Sequence, residues 1–157
     1  MKNLKLIHTK WLVLLLFLPL LTSCWEDMPA YEGTKITKVG FYHRFAGPNK
    51  DQVTGEAIAV EKELSCQYDI NEESAVVNIT VTVPQANGDF TEAERAKVTQ
   101  SNLWGYVNLE TAARIFPIEG SAKLGTPDDW TKEHKFRVEA ANGNSRIWTI
   151  KIVEFNR

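Results

Sequence analysis

Residues 75–84 read AVVNITVTVP, in which valine or isoleucine alternates with asparagine or threonine. Successive side chains of a β-strand point to opposite faces, so this alternation predicts a strand with one buried and one solvated face. A second strand region, residues 57–70, precedes it across a turn at residues 71–74. We expect the two to pair antiparallel, because only a short turn joins them.

Further short strands are indicated on both sides of this pair. Residues 39–45 alternate between two faces until the segment GPNKD, residues 47–51, breaks the strand. After the pair, strands are expected at residues 103–109, 113–118, 136–140 and 147–153.

The last two of these strands flank the dipeptide Asn142-Gly143. Asn-Gly between β-rich segments favours a type I′ turn, because that turn needs a positive φ at both central residues. We therefore expect the chain to close with a β-hairpin.

The helix signal lies just after residue 90. Thr91 and Glu94 have the spacing of a capping box, and the following Arg-Ala-Lys-Val segment shows no strand alternation. We expect one or two helical turns there.

Many short strands separated by turns, with almost no helix, predict an all-β fold. The expected architecture is an antiparallel Ig-like β-sandwich with at most one short helix. It occupies residues 35–157 as a single domain, and a globule of that size can bury about two-thirds of its unfolded surface.

The N-terminus has the pattern of an export signal. Lys2, Lys5 and Lys10 accompany an apolar run at residues 11–21, which is too short to remain as a membrane-spanning helix. The run ends in Leu-Thr-Ser-Cys at residues 21–24, which resembles the lipobox of bacterial lipoproteins.

The lipobox resemblance implies that residues 1–23 are a cleaved signal peptide and that Cys24 becomes acylated. Residues 24–34 would then be the acylated cysteine and its tether, and the acyl chains would bind the membrane. Each buried methylene contributes about 0.8 kcal/mol to such binding. The alternative is an ordinary secretory signal followed by an incidental cysteine.

Glu26 and Asp27 follow the cysteine almost directly. Acidic residues at this place resemble the surface-export signal of Bacteroidota lipoproteins. The resemblance implies a lipid-anchored protein of the outer membrane that faces the exterior. The periplasmic face is the alternative, in which case these charges only solvate the tether.

Four motifs lie between residues 76 and 153. They are GDFT at 88–91, DWT at 129–131, FRVEAANG at 136–143 and RIWTI at 146–150. Together they resemble the Ig-like domains of unknown function at the C-termini of Bacteroidota surface lipoproteins, which often accompany polysaccharide-utilisation systems. Asn142 stands where aspartate is usual, a change that a tight turn accepts. No activity comes with the resemblance.

Removal of the three lysines in residues 1–23 leaves 15 basic and 20 acidic residues, a formal net charge of −5. Nucleic acid is therefore not an expected partner. With Cys24 acylated, Cys66 has no partner in the chain, so no disulfide is expected. The alternation around Cys66 predicts a buried and unreactive thiol.

The chemistry-bearing residues form no pattern typical of an enzyme, so we expect neither catalysis nor a cofactor. His43 and His134 lack the spacing of metal ligands or of a nucleophile and its base. The carboxylate pairs at 72–73 and 128–129 lie in turns, where they are usually solvated, and neither has a calcium-loop pattern, so no metal site is expected.

Tryptophan and tyrosine are the candidates for ligand contact, because sugar rings present apolar C–H faces that stack on exposed aromatic rings. Trp130 lies in a polar loop, and we expect it to be exposed and to bind substrate. Trp104 and Tyr106 share one face of a strand and are further candidates. Trp148 alternates with two isoleucines and is expected in the core.

The expected function is a non-catalytic cell-surface module, anchored to the membrane, that binds or positions polysaccharide for uptake beside outer-membrane uptake proteins. The alternative is a structural or adhesive subunit that binds protein partners through sheet edges. An uncharacterised hydrolase is the third. A flat row of exposed aromatic rings would favour the first, and a bare edge strand the second.

Overall fold

The computed structural model describes residues 30–157, which form a β-sandwich with one short helix. The all-β class with a single short helix is thereby confirmed for these residues. No helix in this part of the chain is long and apolar enough to cross a membrane. The predictions about the signal peptide, Cys24, Glu26 and Asp27 fall on residues 1–29, outside the described residues.

Nine strands and the helix follow one another along the described chain. In order they are β1 (Ile36–Lys50), β2 (Ala57–Glu63), β3 (Ser65–Asn71), β4 (Val76–Thr82), α1 (Glu92–Lys97), β5 (Leu103–Leu109), β6 (Arg114–Ile118), β7 (Pro127–Asp128), β8 (His134–Glu139) and β9 (Ser145–Asn156).

The strands form two sheets. Sheet A has the order β2-β1-β5-β7, and all its neighbouring strands are antiparallel. Sheet B has the order β3-β4-β9-β8-β6. The predicted antiparallel pairing of β3 with β4 is confirmed, whereas β4 and β9 are parallel neighbours.

The chain passes from sheet A to sheet B at Leu64, inside the segment that the sequence predicted as one strand region. Leu64 is 3% exposed, and its N–H donates to the Phe41 carbonyl at 2.9 Å. The alternation of faces continues through this corner, because Val60, Leu64 and Cys66 all turn toward the core. Periodicity alone therefore cannot reveal the change of sheet.

The core lies between the inner faces of the two sheets. Strand β4 contributes Val77, Ile79 and Val81 to the core, and the alternation of residues 75–84 predicted their burial. Each fully buried side chain of this kind stabilises the fold by about 1.5–3 kcal/mol. The largest fully buried side chains are Trp130, Trp148, Phe41, Phe136, Ile79 and Leu103.

Strand β1 is longer than the sequence predicted. The segment at 47–51 does not break it, and β1 runs to Lys50 with a shift of register between Ala46 and Lys50. Such an irregularity lets a strand pass Pro48, which has no N–H to donate. Residues 46–59 form a hairpin arm in which every residue is exposed except the half-buried Gly47.

The predicted closing hairpin joins β8 and β9, but its turn is not type I′. Gly143 has a φ of +89°, whereas Asn142 is not among the residues with positive φ. The N–H of Gly143 donates to the Ala140 carbonyl at 3.0 Å, and the N–H of Ala140 donates to the Asn144 carbonyl at 2.8 Å. This pattern is a three-residue loop in which only the glycine is left-handed.

Helix α1 begins where the sequence predicted. The Thr91 hydroxyl accepts a hydrogen bond from the Glu94 N–H at 3.2 Å, so Thr91 is the N-cap. The helix has six residues and lies in the connection that leads from β4 of sheet B to β5 of sheet A.

Candidate functional site

Trp130 is not the exposed ligand contact that its polar neighbours predicted, because its side chain is 0% exposed. The indole packs edge-on against Phe41 and His134, each at 4.8 Å between ring centroids, and stacks on Phe136 at 6.2 Å. The backbone N–H of Trp130 donates to the Gln100 carbonyl at 3.0 Å, whereas the buried indole Nε1–H has no hydrogen-bond partner among the described residues. Trp130 is a core residue and cannot stack on a sugar from this position.

The space for Trp130 comes from Gly105 on β5. A Cβ at position 105 would lie 2.3 Å from Cζ2 of the indole, so the ring rests directly on the glycine backbone. The polar residues next to Trp130, which suggested exposure, form hydrogen bonds within a local turn instead. Hydrogen bonds from the Thr131 hydroxyl and N–H lower the pKa of the Asp129 carboxyl below its ordinary value.

Trp148 and Cys66 lie as the alternation predicted. Trp148 is 0% exposed, and its Nε1–H donates to the Thr34 carbonyl at 2.8 Å. Cys66 is half-buried opposite Val81, and burial raises the pKa of its thiol. A raised pKa means less thiolate at neutral pH and therefore low reactivity.

Trp104 and Tyr106 lie together on the outer face of sheet A, away from the core, and Tyr42 joins them from β1. Tyr42 lies directly opposite Trp104 in the strand register. Their rings stack with centroids 5.8 Å apart, and the rings of Tyr42 and Tyr106 are 6.3 Å apart. All three side chains are partly exposed. We call Tyr42, Trp104 and Tyr106 the aromatic face.

Gly40 makes the aromatic face flat. It lies opposite Tyr106 in the register, and a Cβ at position 40 would fall 2.4 Å from the tyrosine ring. The phenol ring therefore lies down over the backbone of β1. Tyr42 was missed as a site residue because the alternation of β1 does not say which strand lies beside it.

Two cations flank the aromatic face, and each lies over one of its rings. The Arg44 guanidinium is 4.1 Å from the centroid of the Trp104 ring. The Lys38 ammonium is 5.2 Å from the centroid of the Tyr106 ring. Both distances are within the range of a cation–π interaction.

Two carboxylates from β2 hold these cations. Glu61 forms an ion pair with Arg44, and Glu63 lies 3.4 Å from the Lys38 ammonium. The Tyr106 hydroxyl donates to Glu63, and this hydrogen bond is the main reason that the pKa of Glu63 is lowered. Tyr106, and after it the Glu63 carboxylate, raise the pKa of Lys38 above its ordinary value. Both members of the second pair are thus charged at neutral pH.

The same carboxylates complete a shallow surface depression of about 340 Å³. Its lining consists of Tyr42, Tyr106, Glu61 and Glu63. Aromatic ring faces beside charged donors and acceptors can stack on an apolar C–H face and hydrogen-bond to hydroxyl groups around it.

The two histidines of the described chain belong to the interior. The Nδ1 atom of His134 accepts from the Ala122 N–H at 2.9 Å, which leaves Nε2 to donate to the Asp129 carbonyl at 2.8 Å. His43 is 6% exposed, with its ring 3.9 Å from Glu94. Burial lowers the pKa of both rings. Residues 30–157 contain no group of three or more His, Cys, Asp or Glu side chains that could hold a metal ion.

Among solved structures, the chain is similar to the crystal structure, at 1.81 Å resolution, of a candidate secreted protein from Bacteroides fragilis NCTC 9343. The two sequences are 54% identical, and the structures superpose with a TM-score of 0.76. The match covers 82% of this chain and 100% of the crystallised one, so the crystallised relative folds as a domain of about this extent. None of the curated proteins matches the chain.

A family model described as DUF5018-related matches residues 36–151. This range begins at the first residue of β1 and ends within β9, so it includes both sheets and the aromatic face. The chain therefore belongs to the DUF5018-related family.

Proposed function

We propose that this chain is a non-catalytic lipoprotein that binds polysaccharide on its aromatic face and positions it for uptake by outer-membrane proteins. The observation that carries the proposal is the row of partly exposed rings formed by Tyr42, Trp104 and Tyr106. The proposed location is the outer surface of the outer membrane, as Glu26 and Asp27 imply. Similarity to a candidate secreted protein supports export.

The chemistry of the aromatic face suits a carbohydrate. Flat rings give a large contact area at low entropic cost, and the C–H faces of sugars are apolar enough to stack on them. The ion pairs at the rim supply donors on Arg44 and Lys38 and acceptors on Glu61 and Glu63. A polyhydroxylated ligand needs both kinds of group.

The route by which the chain enters the domain supports an anchor at one end. The Thr34 carbonyl accepts from the buried Trp148 indole at 2.8 Å, and the Lys35 ammonium pairs with Glu72 at 2.7 Å. Thr34 lies ten positions after Cys24, a span of at most about 35 Å. An acylated Cys24 would therefore hold the start of β1 near the membrane and leave the hairpin arm at the far end of that strand.

The anchor is tested by Cys24→Ala in the full-length precursor. The variant should incorporate no labelled fatty acid and should stay uncleaved, because no other cysteine follows a lipobox. Cys66→Ala is the matched control and should be labelled like the wild type. Normal labelling of the Cys24 variant would contradict the proposal.

The ligand proposal is tested by Trp104→Ala in affinity gels containing polysaccharide. Removing the indole should abolish most of the retardation while changing the melting temperature little, because Trp104 lies outside the core. Phe116→Ala is the matched control, since Phe116 is an aromatic residue on the outer face of sheet B that is 37% exposed. Equal retardation of wild type and Trp104→Ala would contradict the proposal.

One observation favours the second candidate function, a subunit that binds protein partners. Strand β2 lies at the edge of sheet A, and its hairpin arm, residues 46–59, is exposed. The tip is ordered by the Asp51 carboxylate, which accepts from the N–H groups of Val53 and Thr54. Val53 itself is 94% exposed. An open strand edge with an apolar tip is a place where another chain could add a strand.

A further inference from the structure

We propose that the aromatic face selects neutral polysaccharides and discriminates against acidic ones. This inference rests on the proposed function and adds the chemical class of the ligand. It follows from the charges around the three rings and from the charge of the whole domain.

The aromatic face is electrically balanced. Its cations, Arg44 and Lys38, each have one carboxylate partner, Glu61 and Glu63 respectively. The four charges sum to zero. A face built to hold uronate or sulfate groups would instead be expected to have cations in excess, as anion sites do.

A neutral sugar can reach the rings without breaking these ion pairs. Arg44 and Lys38 lie over Trp104 and Tyr106 on long side chains at the surface. Cation–π contacts at exposed sites are weak, so each cation can slide off its ring while it stays beside its carboxylate. The uncovered ring then stacks on the sugar, and the displaced ion pair offers donors and acceptors to the hydroxyl groups.

Two electrostatic effects disfavour an acidic sugar. To pair with Arg44 or Lys38 it must displace Glu61 or Glu63, whose carboxylates then lie unpaired beside the ligand's own negative charge. The domain starting at residue 30 also has 15 basic and 18 acidic residues, a formal net charge of −3, which repels a polyanion before contact. Both effects favour a neutral ligand.

The experiment measures retention of the domain starting at residue 30 in gels that contain matched polysaccharides. Neutral glucans, mannans, xylans and galactans are each compared with the carboxymethylated form of the same polymer, and polygalacturonate is added as a natural polyanion. We expect retention that depends on Trp104 on at least one neutral polymer, and weaker retention on its carboxymethylated form.

The double variant Glu61→Gln and Glu63→Gln gives the aromatic face a net positive charge with little change in side-chain size. It should raise the ratio of retention on the carboxymethylated polymer to retention on the neutral polymer by up to about fivefold, the range that exposed charge pairs contribute. An unchanged melting temperature in the double variant shows that the gain is not a folding effect.

Two failures can be told apart. If the wild type is retained by no polymer, or if Trp104→Ala changes nothing, the proposed function is wrong and this inference falls with it. If retention depends on Trp104 but is as strong on the acidic polymers as on the neutral ones, polysaccharide binding stands and the preference for neutral ligands is overturned.

Discussion

Two glycines on neighbouring strands of sheet A each make room for one large ring, on opposite faces. Gly105 leaves space on the inner face for Trp130, and Gly40 leaves space on the outer face for Tyr106. The first contact fills the core, and the second flattens the aromatic face. A methyl group added at position 105 should therefore have a different consequence from one added at position 40.

Gly105→Ala should destabilise the domain by about 1–3 kcal/mol, because the added Cβ would lie 2.3 Å from a fully buried indole that cannot move away.

Gly40→Ala should destabilise the domain less than Gly105→Ala does, since the Tyr106 ring is partly exposed and can swing outward. It should nevertheless weaken polysaccharide retention by displacing that ring. Urea unfolding and affinity gels measure the two effects. Equal stability losses would show that the two glycines are not packed as described.

Sequence alone predicted the position of some aromatic residues and not of others. The alternation of Trp148 with isoleucines correctly placed it in the core, because a regular strand fixes the face of each side chain. Trp130 follows a two-residue strand among residues that favour turns, so no such regularity applied. Its burial depends on Gly105, which lies 25 positions earlier in the chain and on a different strand.

At the scale of elements, the strands were more predictable than their connections. Strand β5 spans Leu103–Leu109 as the alternation predicted, and the cap of α1 lies at Thr91. The corner at Leu64 was missed because a bend between sheets leaves the alternation intact. The bulge before Lys50 was read as a break, since glycine and proline mark both kinds of irregularity.

Pairing between distant elements was the least predictable feature. The parallel contact of β4 with β9 joins residues more than 70 positions apart, such as Val76 and Thr149. Both strands have an apolar inner face, and that pattern is the same for parallel and antiparallel neighbours. The partnership of Tyr42 with Trp104, on which the proposed site depends, is of the same kind.

At the scale of the whole domain, the two outer faces of the sandwich differ in chemistry. The outer face of sheet A has the three stacked rings with their balanced charges. The outer face of sheet B is mainly polar, with Lys135 and Thr149 as direct neighbours, although Phe116 and Ile147 are exposed there. The aromatic face lies between the end where the chain enters and the hairpin arm, so an anchor at the first end would leave it open to ligand.

The measurement that tests polysaccharide binding at the aromatic face most directly is the quenching of tryptophan fluorescence by acrylamide. In the domain starting at residue 30, the tryptophans are Trp104, Trp130 and Trp148, and the latter two are 0% exposed. Quenching therefore reports mainly on Trp104. A saturating neutral polysaccharide should protect this fluorescence from acrylamide, and Trp104→Phe should lose the protected component. Binding of polysaccharide that leaves Trp104 as accessible to acrylamide as before would contradict the account.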